Sequence, residues 1–273
     1  MKNILLLTQY TLREALAKKI FIIFFIVSSL VITGFILFFS FFDFSKMLSI
    51  RAADGISTDK IFEQLIVSFK IGTISPLYAG ALFLSIFSTA GIISSLLEKG
   101  NIDLFLSKPV SRLQLLMGKF LGGLAIVFIN VAYVIISLWI LIGVRFSVWD
   151  AQFLFAIPAI TFGFAVIFSL VILFTIMSRS SVLPLILSYL IFFIVSPILS
   201  KRDEIYQMTG KKVLKVIMDG LHYIVPQTSE LGQFAAIISI GSEIRNYEPV
   251  ITSTILLVLM LGLAITIFNK KDY

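Results

Sequence analysis

Residues 153–177 read FLFAIPAITFGFAVIFSLVILFTIM, 25 consecutive positions without an Asp, Glu, Lys, Arg or His. A bilayer core about 30 Å thick is crossed by about 20 residues of α-helix, so this run is long enough to span it. Lipid offers no partner to a free backbone N–H or C=O, so such a run must cross as a helix. Five further charge-free stretches surround it: Ile20–Phe42, Thr73–Leu97, Phe120–Val144, Leu183–Leu199 and Val250–Phe268. The expected fold is an all-α integral membrane protein with six transmembrane helices in a single transmembrane domain, residues 1–273. Composition agrees. Apolar residues make up 59% of the 273 positions and charged residues 14%, against about 45–50% and about 25% in soluble domains. A soluble fold of this length cannot bury that excess, and lipid must cover it.

The charges between the spans give an orientation. One set of segments carries Lys2, Arg13, Lys18, Lys19, Lys99, Lys108, Arg112, Lys119, Arg179, Lys270 and Lys271 against only Glu14, Glu98, Asp103 and Asp272. That side is +7. Residues 43–72, 145–152 and 200–249 hold the other eleven basic and eleven acidic residues and are neutral. The positive-inside rule therefore expects both termini in the cytoplasm of a multi-pass cell-membrane protein, with 43–72 and 200–249 outside. The whole net charge serves as an orientation signal, so no nucleic-acid partner is needed to explain it. The first span is too long for a signal-peptide core and no A-x-A-like site follows, so a retained signal anchor is expected.

Three connecting segments have structure of their own. Ile4–Ala17 leads into Lys18–Lys19 and reads as a cytoplasmic interfacial helix (residues 1–19), with Glu14, Lys18 and Lys19 among headgroups. A plain extension of the first span fits equally well. Ser57-Thr58-Asp59 supplies N-cap chemistry for an amphipathic outer-leaflet helix bearing Ile61, Phe62, Leu65, Ile66 and Phe69, which Gly72 is expected to stop. Val213–Leu231 is semi-apolar and interrupted at Gly220 and Pro226, as short outer-leaflet helices before span six would be. His222 reads there as a surface or interfacial histidine.

The most informative loop is 97–123, LEKGNIDLFLSKPVSRLQLLMGKFLGG. Gly100 suits a helix C-cap, 101–107 can form a short helix, and Lys108-Pro109 breaks it. Ser111 with Gln114 forms a capping box, and Val110 with Leu115 a hydrophobic staple, so a new helix starts at about Arg112. Gly118 and Gly122 form a small-xxx-small pair for helix packing. Asn130, deep in span three, reads first as interhelical glue and second as a substrate contact.

The pattern Glu98-x-Gly100 … Leu106-Ser107-x-Pro109-Val110-Ser111-Arg112 … Gly118-Lys119 resembles the cytoplasmic loop of type-2 ABC exporter permeases, the type V exporter fold. Glu14 … Lys18-Lys19, the six-span layout, Pro226 before span six and the closing Phe268-x-Lys270-Lys271-Asp272 agree with it. The resemblance implies that 98–119 is the coupling loop that docks on a separate ABC ATPase subunit. Glu98, Gly100, Leu106, Pro109, Arg112 and Lys119 are then its coupling residues. It also implies pairing of two permease chains, as a homodimer or with a sister permease, ATP and Mg bound on the partner ATPase, and outward transport of an unidentified cargo of lipid-like or other hydrophobic character.

Several chemistries are excluded. No G-x-x-x-x-G-K-[ST] occurs: Gly118-Lys119 precedes Phe120, and Gly210-Lys211 precedes Lys212. The chain has no Walker A loop and is not expected to be an ATPase itself. With no Cys and one His, no Cys- or His-based metal site is expected. Ionisable groups inside the membrane mark proton and ion pathways, and the six spans have none. A membrane scaffold or assembly factor without transport is the alternative that the charge-free spans permit.

Overall fold

A computed structural model describes residues 2–17, 19–41, 58–97, 110–180, 182–210, 212–244 and 246–271, which are helical almost throughout. Helix α1 (Lys2–Ala17) and α2 (Ile20–Phe41) are separated at Lys19, whose φ of 58° cannot continue a helix. Then come α3 (Thr58–Ser94), α4 (Arg112–Phe146) and α5 (Ala156–Ser178). Helix α6 spans Val182–Ser200 and is followed by α7 (Arg202–Thr209), α8 (Lys212–Ile224), α9 (Thr228–Ser239) and α10 (Glu248–Lys270). Among the described residues, six helices are long and apolar enough to cross a membrane, as the sequence requires.

The organising element is α5, the helix of the opening stretch. It is apolar all round, and such a helix belongs in the middle of a bundle. Helices α3, α4, α6, α9 and α10 pack around it, and Phe164, Val166, Ile167, Phe168, Val171 and Ile172 are fully covered. Gly123 of α4 lets the Phe168 ring come so close that an added Cβ would lie 2.6 Å from it. Helix α2 instead turns Ile22, Ile23, Ile26 and Leu30 outward, the face that lipid covers.

Three expectations are corrected. Gly72 does not stop a helix, because α3 runs unbroken from Thr58 to Ser94 through Gly72 and Pro76. A glycine costs a helix interior only about 1 kcal/mol. Burial of Ile61, Thr73, Ile74, Tyr78 and Leu82 along α3 outweighs that. The expected outer-leaflet helix before span two is thus continuous with the helix of that span.

The second correction concerns the segment before span six. Helix α8 is amphipathic, with Val213, Val216, Ile217 and Ile224 exposed. Helix α9, however, is wedged between α3 and α5, with Leu231, Ala235 and Ala236 buried. The Tyr78 ring fits between Gly163 and Gly232, where added Cβ atoms would lie 2.8 and 2.9 Å from it.

The third is His222, which is only 2% exposed rather than a surface residue. An Arg202 guanidinium nitrogen lies 3.2 Å from its Nδ1, and the Gln227 side-chain amide nitrogen lies 2.8 Å from its Nε2. Arg202 also pairs with Glu230 at 3.3 Å and with Asp219 at 3.5 Å. Burial, and then the Arg202 cation, hold the His222 pKa below its ordinary value. Burial pushes Glu230 above the usual carboxylate value.

In α6 the turn Ile191–Val195 is a π-helix. Pro197 has no N–H for the carbonyl of Phe193. The wider turn brings the Ser196 N–H to the Ile191 carbonyl instead.

Candidate functional site at the terminal face

Both ends of the described chain meet at the start of α4, and the sequence explains why that start is rigid. Ser111 is extended (φ −72°, ψ 150°) and its side chain accepts the Gln114 N–H at 3.2 Å. Gln114 returns the bond by accepting the Ser111 N–H at 3.2 Å. The capping box thus satisfies two backbone donors that a helix start leaves open. The same Gln114 Oε1 accepts from Asn3 of α1 at 3.4 Å.

Helix α1 docks along the first three turns of α4. An added Cβ on Gly118 would meet Leu7 at 2.4 Å, and one on Gly122 would meet Thr11 at 2.5 Å. The small-xxx-small pair therefore receives the terminal helix. One turn of α4 also carries Lys119, 2% exposed, which forms an ion pair with Glu14 of α1. Glu14 also accepts from Ser95 Oγ at 3.1 Å, in the 3₁₀ turn that ends α3. The Lys119 Nζ sits 5.6 Å from the centroid of the Tyr10 ring. Three elements, α1, the end of α3 and the start of α4, are thereby held by one buried charge pair.

Arg112 faces the other way. One guanidinium nitrogen donates to the carbonyls of Phe268 (2.6 Å), Asn269 (3.2 Å) and Lys271 (2.7 Å), at the end of α10. A cation at a helix C-terminus satisfies open carbonyls and opposes the negative end of the dipole. Lys271 repeats the arrangement one helix further on, donating to Ile176 (2.7 Å) and Met177 (2.9 Å) at the end of α5. A chain of basic caps thus links α4 to α10 and α10 to the central helix.

Of the residues singled out in the sequence, Glu14, Arg112, Gly118, Lys119 and Gly122 come together here. Asn130 lies deeper and accepts from Ser28 of α2 at 2.9 Å. Lys18, Glu98, Gly100, Leu106 and Pro109 lie outside the described residues. Ser95 and Asn3 were not picked out from sequence, and Lys271 only as part of the closing basic pattern. Only the basic tail signalled Lys271, and nothing local signals that Glu14 and Lys119, 105 positions apart, form a pair.

In comparisons with known proteins, a family model described as ABC-2 family transporter protein matches residues 9–273. The match takes in Glu14, the whole of the α4 start and the α10 end. No curated protein matches the chain.

Proposed function

Because the chain belongs to the ABC-2 transporter family, membrane components that are not themselves ATPases, we propose that it is the permease half of an ATP-driven exporter. A separate ABC ATPase binds ATP and Mg on the cytoplasmic side, and two permease chains pair over two ATPases. The terminal face is the cytoplasmic one, and the 98–109 segment is the contact with the ATPase. One observation carries this reading. The two ends of that segment are fastened to the rest of the bundle, through Ser95 to Glu14 and Lys119, and through Arg112 to α10. A push on the segment reaches α1, α10 and, through Lys271, the core helix α5, without passing through a flexible link. The cargo is an apolar or lipid-like molecule, in keeping with the charge-free runs 73–97, 120–144 and 153–177.

The test is affinity purification of the chain from its native membrane. A Walker A ATPase should accompany it, with vanadate-sensitive ATP hydrolysis. Pro109→Gly combined with Arg112→Glu should lower that hydrolysis or lose the ATPase. If the ATPase is absent from the wild-type preparation, or if the double variant matches wild type in both respects, the coupling assignment is wrong.

A further inference from the structure

Helix α6 starts at Val182, just after the Met177 carbonyl that Lys271 caps on the terminal face. Its other end at Ser200, with α7 and α8 beyond it, therefore lies on the opposite face. There α8 is amphipathic in reverse. Val213, Val216, Ile217, Leu221 and Ile224 are exposed, while its two buried side chains are Met218 and the titratable His222.

The His222 ring fits its site only while it is neutral. An Arg202 guanidinium nitrogen lies 3.2 Å from Nδ1, and the Gln227 amide nitrogen lies 2.8 Å from Nε2. An imidazolium donates from both nitrogens and a guanidinium only donates, so protonation would set two cations N–H against N–H. Gln227 can turn its amide and present its oxygen. Arg202 has no oxygen to present, and Glu230 of α9, a helix wedged into the bundle, holds it in place at 3.3 Å. Carboxylates do surround the ring: Glu230 at 3.7 Å, Asp219 on α8 itself, Asp203 of α7 and Glu248 at the start of α10. Burial and Arg202 outweigh them, so the docked ring takes up a proton less readily than a histidine in water.

Helix α8 is the partner that can move. It packs on the end of α6 and on α7. Its further ties include the 3.5 Å pair of Asp219 with Arg202 and the 2.9 Å bond from the Tyr223 hydroxyl to Glu248, which is exposed. Undocked, the ring meets water and titrates at its ordinary value. The undocked form therefore binds the proton more tightly, and acid must favour it.

We propose that His222 is the catch of an acid-released arm. At neutral pH α8 is docked on α6 and α7. When the ring is protonated, α8 swings away with its aliphatic side already turned outward. The device needs neither nucleotide nor a partner chain, so it stands or falls separately from the ATPase-coupling assignment.

The test is hydrogen exchange of the full-length chain in phosphatidylethanolamine–phosphatidylglycerol nanodiscs. It is run at about pH 7.5 and about pH 5.5, with exchange times scaled for the intrinsic rate at each. The lower value lies about one unit below the ordinary histidine pKa, so linkage at one site allows up to about a tenfold change. Protection of residues 212–224 should fall on acidification by up to that factor, while residues 156–178 of the core helix keep theirs. His222→Gln stays neutral, and its α8 should be equally protected at both values. His222→Lys places a cation beside Arg202 and should show the lower α8 protection already at neutral pH. Wild-type protection that is the same at both values would overturn the proposal, as would an acid-induced loss that persists in His222→Gln. A loss shared equally by 156–178 would also overturn it, because the whole bundle, not the arm, would then be loosening.

Discussion

Lys119 is an almost wholly buried lysine in a helix that otherwise continues into lipid, and its ion pair with Glu14 is what makes that placement tolerable. Removing one partner of a buried pair typically costs about 3–5 kcal/mol, whereas replacing both by apolar groups is often neutral. Lys119→Met alone should therefore lower the thermal unfolding midpoint in detergent sharply, and Glu14→Leu with Lys119→Met should recover most of the loss. A double variant as unstable as the single one would show that the pair is not the fastening. Gly122 offers a second residue-scale test. Gly122→Val drives a side chain into Thr11, an overpacking worth about 1–3 kcal/mol. It should expose α1 to proteolysis, while Gly34→Ala, where an added Cβ meets nothing within 4 Å, should not.

Among the elements, α3 and the α8–α9 pair departed furthest from expectation. The capping box at Ser111 was legible because it is a local pattern of two residues three apart. The end of a helix at Gly72 was misjudged because a glycine's small helix penalty yields to tertiary burial that no local pattern reports. If α3 is continuous, Gly72→Ala should stabilise the protein by about 0.5–1 kcal/mol. A destabilised variant would mean that Gly72 adopts a conformation only glycine favours. Helix α9 was hidden for another reason. Its mixed sequence TSELGQFAAIIS looks interfacial until Gly232 is seen to accept Tyr78. His222, at the α8 end of the same cluster, carries a pH dependence whose sign follows from its lowered pKa. As pH falls, the unfolded chain takes up the histidine proton first, so stability present at neutral pH is lost as pH drops through about 6.5. Glu230, with its raised value, has the opposite slope, beginning from the ordinary 4.5. Unfolding midpoints measured across this range should fall more steeply on acidification for wild type than for His222→Gln. Equal slopes would remove the histidine from the account.

At the scale of the molecule, the six spans were readable because lipid enforces long charge-free runs, and 153–177 is both the clearest run and the central helix. Its partners were not readable, since an all-round apolar helix does not say which neighbours surround it. The charge asymmetry marked one face of the bundle, and the buried pair and basic caps give that face a mechanical continuity that a count of charges cannot. The chain has no native cysteine, so a single cysteine at Leu106 is a unique probe of what this face meets. After thiol–amine cross-linking in native membranes, Leu106→Cys should yield an adduct with an ABC ATPase, and an impermeant maleimide should reach it only once the membrane is opened. Labelling of Leu106→Cys from outside intact cells, with no ATPase adduct, would contradict the account.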